Sequence, residues 1–370
     1  MSAVQSCRGR FAVVAVVKIL IPIFGFGAQG GYRVLSRLAS EWSDRGITVD
    51  FLVPEGVDHP YFETKGGIRR VRRDGTLATG SSDARSMPGK DRFRALFKGL
   101  RALRDEYDVF LANQAFTPWL LLAVGIPARK RVYYIQAYEP DFFDAMKQPV
   151  HWALAKASYA IPALRIVNSP LYLRYKGIRA EHWVPPGIDL SNFRPDTNPR
   201  DRDTFVLGCI GRHEPDKGTI YVLKAFDKLH AADPRYRLRV AFGNVPEDWS
   251  HPAAEVVPLQ GDVALAGFYR SIDAMVAPGT IQHGAVHYPV MEAMACGTPV
   301  VTTGYLPATP DNAWIVANRD PDAIAAAIRA IDQGNDRQSR VAHGLEAVAE
   351  FAWPQVAARM LALLSGRLAP

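Results

Sequence analysis

Two cations stand at the ends of a short turn in the segment GRHEPDKG, residues 211–218. An apolar stretch typical of a buried strand precedes the segment, and a helical pattern follows it. Arg212 can bind a phosphate through its planar fork and Lys217 as a point charge, so the pair can clamp a diphosphate. The alternative is an ordinary surface cluster of ion pairs. The spacing favours the anion site.

A second candidate lies in residues 283–301, which read HGAVHYPVMEAMACGTPVV. Pro289 suits the first turn of a helix, because its missing N–H would be unpaired there, and Gly297 suits the C-cap. We expect the N–H groups of this helix to point into the preceding loop, where an anion can bind. Glu292 lies among apolar residues, so it either needs a hydrogen-bond partner such as a sugar hydroxyl or faces water.

Two further candidates lie in the first half of the chain. Gly30 and Gly31 follow an apolar stretch, residues 12–23, and precede apolar residues at helical spacing, as in the first glycine turn of a Rossmann unit. The dinucleotide spacing is absent, so a plain tight turn is the alternative. Gln136 ends a predicted strand, residues 131–136, and Glu139 follows it. They are candidates for sugar or acceptor contacts, or else ordinary polar loop residues.

These motifs resemble those of the retaining family 4 glycosyltransferases, which have the GT-B fold. The pattern Pro-x-x-Glu-Ala-Met-Ala-x-Gly-x-Pro-Val-Val matches from Pro289 to Val301, and Gly-Arg-x-x-x-x-Lys-Gly matches from Gly211 to Gly218. A linker resembling Val-Pro-x-Gly-x-Asp-x-x-x-Phe-x-Pro occupies residues 184–195. The resemblance covers nearly the whole chain and is densest in its second half.

The resemblance implies a role for each matching residue. Arg212, Lys217 and Glu292 would be the catalytic residues, and Glu292 would bind the ribose hydroxyls of the donor. The donor would also contact Gly30, Gly31, Gly211, His287, Tyr288 and Pro289. Breaking the sugar–diphosphate bond leaves negative charge on the phosphate, which such cations can stabilise.

The sequence departs from the family pattern in two places. Gly284 stands where the family has a second glutamate, and Gln282 could take its place if the loop is two residues longer. Gln282 and His283 are further candidates for sugar or acceptor contacts. No histidine stands near Gln136, where most relatives carry one. The Tyr288–Pro289 pair resembles a rhamnan-type branch that transfers deoxy-sugars such as rhamnose.

The composition is that of a soluble globular protein. Of 370 residues, 48% are hydrophobic and 22% are charged, and three cysteines are too few for a disulfide framework or a metal cluster. Asp201 and Asp203 mimic a metal-binding Asp-x-Asp, but we interpret them as linker charges. We expect no cofactor besides the nucleotide-sugar substrate.

A net charge of +7 suggests anionic partners, but no nucleic-acid module accompanies it. Much of the positive charge lies in residues 65–104, where Phe93, Leu96 and Leu100 share one helical face. That face could lie on an anionic membrane or pack on the protein's own sheet, with a basic outer face for a lipid-diphosphate acceptor. Without an apolar run of about 18 residues, we expect no membrane span. We expect a cytoplasmic protein that can contact the inner face of the membrane.

The predicted fold is α/β, with two Rossmann-like doubly wound domains of GT-B type facing across a cleft. The resemblance implies an acceptor-side domain in residues 1–186 and a nucleotide-sugar-binding domain in residues 187–350. A helix in residues 351–370 would pack back on the first domain. The predicted activity is retaining, metal-independent transfer of a sugar from a nucleotide-diphosphate donor to a glycan or lipid-linked acceptor, in cell-surface polysaccharide synthesis. The alternatives are an inactive sugar-nucleotide-binding protein and a GT-B nucleotide-sugar epimerase.

Overall fold

The computed structural model describes residues 17–78, 86–196, 203–281 and 283–368. Its backbone contacts divide the chain into two units. Unit 1 comprises the described residues up to Val167, together with Lys176–His182 and those from Ala357 onward. Unit 2 comprises Asn168–Tyr175 and the described part of Trp183–Val356.

Unit 1 is built on an eight-stranded sheet with the order β4-β3-β2-β1-β5-β6-β7-β8. Its strands are β1 (Lys18–Pro22), β2 (Thr48–Pro54), β3 (Gly67–Val71), β4 (Leu77–Ala78), β5 (Val109–Ala112), β6 (Arg131–Ile135), β7 (Leu164–Val167) and β8 (His182–Trp183). Its helices are α1 (Gly30–Ser43), α2 (Gly89–Leu103), α3 (Thr117–Ala123) and α4 (Pro149–Ser158). The neighbouring strands β3, β2, β1, β5, β6 and β7 pair in parallel, and β4 is antiparallel to β3.

The central strands of unit 1 are buried on both faces, which explains their continuous apolar sequences. Every residue of β5 and β6 is buried. Strand β1 begins at Lys18, and residues 12–16 of the predicted first strand lie outside the described residues. The indole of the buried Trp42 donates to Ala357 O at 3.0 Å, so α1 is tied to the chain's last helix.

Helix α2 packs on the protein's own sheet, which was one of the two interpretations of the basic segment. Leu96 and Leu100 are fully buried, and Gly99 lies against side chains of β2 and β3. Phe93, predicted to share that face, is 39% exposed and stacks on Phe24 instead. The apolar face of α2 is therefore used within unit 1.

Unit 2 has a six-stranded parallel sheet with the order β11-β10-β9-β12-β13-β14. The strands are β9 (Phe205–Ile210), β10 (Tyr236–Ala241), β11 (Ala254–Val257), β12 (Ala274–Ala277), β13 (Val300–Thr302) and β14 (Trp314–Ile315). The helices are α5 (Thr219–Ala232), α6 (Gly261–Ser271), α7 (Tyr288–Ala295), α8 (Pro321–Asp332) and α9 (Arg337–Ala349), and α10 (Trp353–Leu368) ends in unit 1. The strand order reverses between β9 and β12, where open α/β sheets bind ligands.

The ends of two helices show how the local sequence sets the fold. Asp320 caps α8, because its carboxylate accepts from Ala323 N at 2.9 Å and Pro321 occupies the first turn. Gly30 and Gly31, predicted to form a turn, instead begin α1, and no side chain caps that end. Of the helices in the described part of the chain, none has the length and apolarity that a bilayer span requires.

The burial pattern of α5 predicts how unit 2 responds to mutation. Leu229 is fully buried against strands of the sheet, whereas Ile220 on the same helix is 37% exposed. We expect Leu229→Ala to lower the free energy of unfolding by about 2–5 kcal/mol, because it leaves a cavity. Ile220→Ala should cost far less. Urea denaturation of both variants tests this, and equal losses would contradict the assigned packing.

Candidate functional site

A cavity of about 280 Å³ opens in unit 2 at the carboxyl ends of β9 and β12. It brings together five of the predicted site residues: Arg212, Lys217, His287, Tyr288 and Pro289. The loop after β9 supplies the two cations, and the start of α7 supplies the other three. The residues predicted from two distant motifs therefore line one cavity, at the point where the strand order reverses.

The loop after β9 is held in shape by Thr219, the first residue of α5. Its hydroxyl accepts from Arg212 N at 3.1 Å and lies 3.0 Å from Arg212 O, to which it donates. Gly218 is left-handed, with φ 76°, and an added Cβ would collide with the carbonyl of Pro278. Glycine is therefore required where this loop meets the loop after β12.

The two cations of the cavity differ in their surroundings. Lys217 Nζ lies 3.3 Å from Asp216 Oδ2, and both side chains are about one-third exposed. Arg212 is exposed, and within the described residues its guanidinium makes neither an ion pair nor a hydrogen bond. One lightly paired and one unpaired cation leave positive charge at the cavity, which an anionic ligand can neutralise.

Gly211 serves the backbone rather than the cavity wall. Its N–H donates to Ala241 O at 2.9 Å, and its carbonyl accepts from Asn244 Nδ2 at 3.1 Å. A Cβ here would press on Asn244 N at 3.0 Å. The family glycine thus permits close packing after β9, and its predicted donor contact stays a prediction.

His287 is a neutral residue beside the two cations. Its ring stacks on Tyr305, with centroids 4.5 Å apart, and its Nδ1 is enclosed without a hydrogen-bond partner among the described residues. Burial, aided by the charges of Lys217 and Arg212, lowers the pKa of His287 to about 3. The imidazole therefore adds no charge to the cavity at neutral pH.

The tip of α7 differs from the sequence prediction. Val290 N and Met291 N both donate to His287 O, at 3.1 and 3.2 Å, and His287 N donates to Leu306 O. Pro289 has no N–H to offer. Most of the N–H groups expected to face an anion are therefore used within the protein, so the charges of Arg212 and Lys217 matter more than predicted.

Glu292 is buried, not on the wet side of α7. It is 3% exposed, accepts a hydrogen bond from the Tyr269 hydroxyl at 2.9 Å, and does not line the cavity. Burial and the neighbouring carboxylate raise the pKa of Tyr269, so the phenol stays protonated to donate. The protein thus supplies the partner that the sequence led us to seek in a sugar, and the ribose contact stays a prediction.

The loop before α7 contains the position where the family has a second glutamate. Gly284 is left-handed, with φ 83°, and its carbonyl lies 3.3 Å from the Ser169 hydroxyl, which donates to it. A glutamate would be strained in this conformation. His283 Nε2 lies 3.1 Å from Gly279 O, outside the cavity lining, and Gln282 lies outside the described residues.

A second cavity, of about 480 Å³, lies within unit 1 and contains both Gln136 and Glu139. Gln136 Nε2 donates to Gly31 O at 3.3 Å, so the loop after β6 touches the start of α1. Gly31 lines this cavity and Gly30 does not. The two predicted sugar or acceptor residues and one predicted donor glycine therefore share a pocket in unit 1.

Glu139 is a buried carboxyl group that joins two loops of unit 1. It accepts from Ala115 N and from the Tyr133 hydroxyl, the latter at 3.0 Å. Burial raises its pKa to about 7, although both hydrogen bonds act in the opposite direction. Glu139 therefore holds the pocket in shape as well as lining it.

Several residues of these sites were not identified from the sequence. Tyr305, Tyr269 and Tyr32 follow or lie within elements that predict only burial. Tyr305 alone carried a usable signal, since it comes shortly after a buried strand on the ligand-binding edge of the sheet. In the described part of the chain, no group of three or more histidine, cysteine or acidic side chains could hold a metal ion.

Comparison with known proteins finds a family model that matches part of unit 2. Residues 204–333 match the model of Glycosyl transferases group 1. The D-inositol 3-phosphate glycosyltransferase of Frankia alni is 32% identical over 220 residues, which cover 50% of this chain and 53% of that protein. The protein of the same name from Geodermatophilus obscurus is 32% identical over 179 residues, covering 40% and 39%. The chain thus spans about half or less of these relatives.

Solved structures share the fold along nearly the whole chain. Sucrose-phosphate synthase from Thermosynechococcus elongatus superposes with a TM-score of 0.66 and 20% identity, covering 94% of this chain and 98% of that one. The Anabaena protein Alr3699/HepE, crystallised with UDP and glucose, gives 0.64 and 18%, covering 95% and 100%. The predicted two-domain α/β fold of GT-B type is therefore confirmed.

The low pKa of His287 predicts a pH dependence of stability. In the unfolded chain this imidazole binds a proton as the pH falls below about 6.5, whereas in the folded chain it stays neutral down to about pH 3. The free energy of unfolding should therefore decrease as the pH is lowered from about 6.5 to about 3, by up to about 1.4 kcal/mol per pH unit from this residue. The variant His287→Gln should lose that component in urea titrations.

The exposed His343 provides a control, because His343→Gln should keep the pH dependence of the parent. Parallel stability curves for the parent and His287→Gln between pH 7 and 4 would contradict the neutral, enclosed imidazole.

Proposed function

We propose that the protein transfers a sugar from a nucleotide-diphosphate donor to a glycan or lipid-linked acceptor, because residues 204–333 match the model of Glycosyl transferases group 1. The single observation that carries the proposal is the unit 2 cavity, in which Arg212 and Lys217 meet the start of α7. The loops after β9 and β12 meet where the strand order reverses, which is the usual position of a ligand in such sheets.

The charges of the cavity fit the chemistry of a departing nucleotide. When the sugar–diphosphate bond breaks, negative charge grows on the leaving phosphate. Cations that are already in position stabilise this charge without having to move. Arg212 would bind two phosphate oxygens and Lys217 would act as a point charge, with the α7 dipole adding to both. The acceptor hydroxyl would attack from the leaving group's face, which retains the anomeric configuration.

The buried pair of Glu292 and Tyr269 would support this site from behind. Their hydrogen bond connects α7 to α6, so it fixes the helix whose first turn lines the cavity. A ribose contact by Glu292 would require the carboxylate to share its hydrogen bonding with the donor. We propose this role on the resemblance of the Pro289–Val301 motif.

Names of similar proteins suggest which donors to try first. Alr3699/HepE of Anabaena was crystallised with UDP-glucose as well as with UDP and glucose. UDP-glucose is therefore the first donor to test, and a nucleotide-linked deoxy-sugar such as rhamnose is the second, on the resemblance of Tyr288 and Pro289. A role in cell-surface polysaccharide synthesis would follow from a glycan acceptor.

A second candidate function is sugar-nucleotide binding without transfer. The left-handed backbone at Gly284 favours it, because no carboxylate projects from the position where the family has its second glutamate. Measured transfer or hydrolysis of any nucleotide sugar would exclude this candidate.

Replacing Lys217 tests the diphosphate clamp. We expect Lys217→Ala to lower transfer by about a hundredfold or more, because one fixed charge on the leaving group is lost. The melting temperature should change little, since among the described residues the side chain pairs with Asp216 alone, at a partly exposed site. Lys228→Ala, at an exposed ion pair on α5, is the matched control and should leave transfer intact. Equal rates in both variants would argue against the clamp.

Metal independence gives a further test of the same mechanism. If the two cations alone neutralise the leaving diphosphate, exhaustive treatment with EDTA should leave the transfer rate unchanged, and added Mg²⁺ or Mn²⁺ should not raise it. A rate that vanishes with EDTA and returns with one of these ions would show that a metal shares the role of Arg212 and Lys217.

A further inference from the structure

The cavity of unit 1 has a lining suited to an uncharged ligand. Four aromatic rings and four side-chain amides surround it, and among the described residues no lysine or arginine lines it. The rings are those of Tyr32, Phe116, Phe142 and Phe143. Aromatic faces bury the apolar C–H faces of a sugar ring, and amides both donate and accept hydrogen bonds as hydroxyl groups do.

Tyr32 and Gln114 together present one donor and one acceptor to this cavity. Gln114 Nε2 donates to the Tyr32 hydroxyl oxygen at 2.8 Å. The hydroxyl hydrogen of Tyr32 and the amide oxygen of Gln114 then remain to bind a ligand. Burial raises the pKa of Tyr32, which keeps that hydrogen in place. A sugar hydroxyl satisfies both groups, whereas a phosphate oxygen can only accept and would face the amide oxygen unfavourably.

The charged groups near the cavity also disfavour an anion. Glu139 is the acidic residue of the lining, and no lining cation compensates for it within the described residues. Arg92 acts electrostatically on Tyr32, but its guanidinium donates to Met87 O at 2.8 Å and to Phe24 O at 3.4 Å. A phosphorylated ligand would therefore lack a charge partner here.

We propose that the unit 1 cavity binds an uncharged sugar ring of the acceptor, held by Tyr32 and Gln114 and stacked on the aromatic wall, and does not bind a phosphorylated polyol. The assignment of this ligand to the acceptor rests on the proposed glycosyl transfer. The proposed ligand carries no phosphate and so differs from D-inositol 3-phosphate, the compound in the names of the two relatives.

Ligand-observed NMR on the full chain tests the proposal. The probes are methyl α-glucopyranoside, methyl α-mannopyranoside, methyl α-rhamnopyranoside and D-inositol 3-phosphate. We expect at least one glycoside to bind saturably and the inositol phosphate not to bind. Tyr32→Phe should weaken glycoside binding by about tenfold, because one hydrogen bond to the sugar is lost while the ring remains. Tyr61→Phe, at a 69% exposed tyrosine of the same unit, should bind as the parent does.

Three outcomes would overturn the proposal: no binding of any glycoside, glycoside binding that is unchanged in Tyr32→Phe, or stronger binding of the inositol phosphate. The last would assign the cavity to an anion at the start of α1. A thermal-shift assay with UDP on the same samples monitors the unit 2 cavity separately. If UDP fails to bind while a glycoside binds through Tyr32, the proposed transfer fails and the sugar site in unit 1 stands.

Discussion

The close approach of Gly218 to the carbonyl of Pro278 is the constraint on which the unit 2 cavity depends. The loop after β9 and the loop after β12 can touch there only because one of them has no side chain and a left-handed backbone. Thr280 N adds a hydrogen bond to Asp216 O at 2.7 Å. Because the two loops are joined, the cations of the loop after β9 lie opposite the start of α7, which follows the loop after β12.

In unit 1 a different interaction joins the loops that surround the cavity. Its sheet order reverses between β1 and β5, and its cavity opens on the loops that follow β1, β5 and β6. Here the buried carboxyl of Glu139 connects the loop after β6 to Ala115 after β5. A close backbone contact stabilises the cavity of unit 2, and a hydrogen-bonded carboxyl group stabilises the cavity of unit 1. Both cavities lie where the strand order of a parallel sheet reverses, which leaves room for a ligand.

The sequence predicted the parts of this arrangement that depend on local patterns. Continuous apolar stretches predicted the buried parallel strands, and Pro289 and Asp320 predicted the starts of α7 and α8. The spacing of Arg212 and Lys217 predicted that both belong to one site, and both line one cavity.

What the sequence did not predict concerns interactions between residues far apart in the chain. Glu292 finds its partner in Tyr269, 23 positions away on α6, and periodicity shows which face of a helix is buried but not what it meets. The unpaired N–H groups expected at the tip of α7 are consumed partly by Leu306, which follows a later strand. The first turn of α1 was mistaken for a free turn because glycine permits both conformations.

The left-handed backbone at Gly284 limits how the loop before α7 can be engineered. An acidic residue introduced there would have to adopt a φ of 83°, a conformation that costs a residue with a Cβ on the order of 1–3 kcal/mol. Within the described residues an added Cβ would meet no atom closer than 4 Å, so this cost comes from the main chain and not from crowding. A carboxylate is therefore supplied to this loop at a lower cost from a neighbouring position than from residue 284 itself.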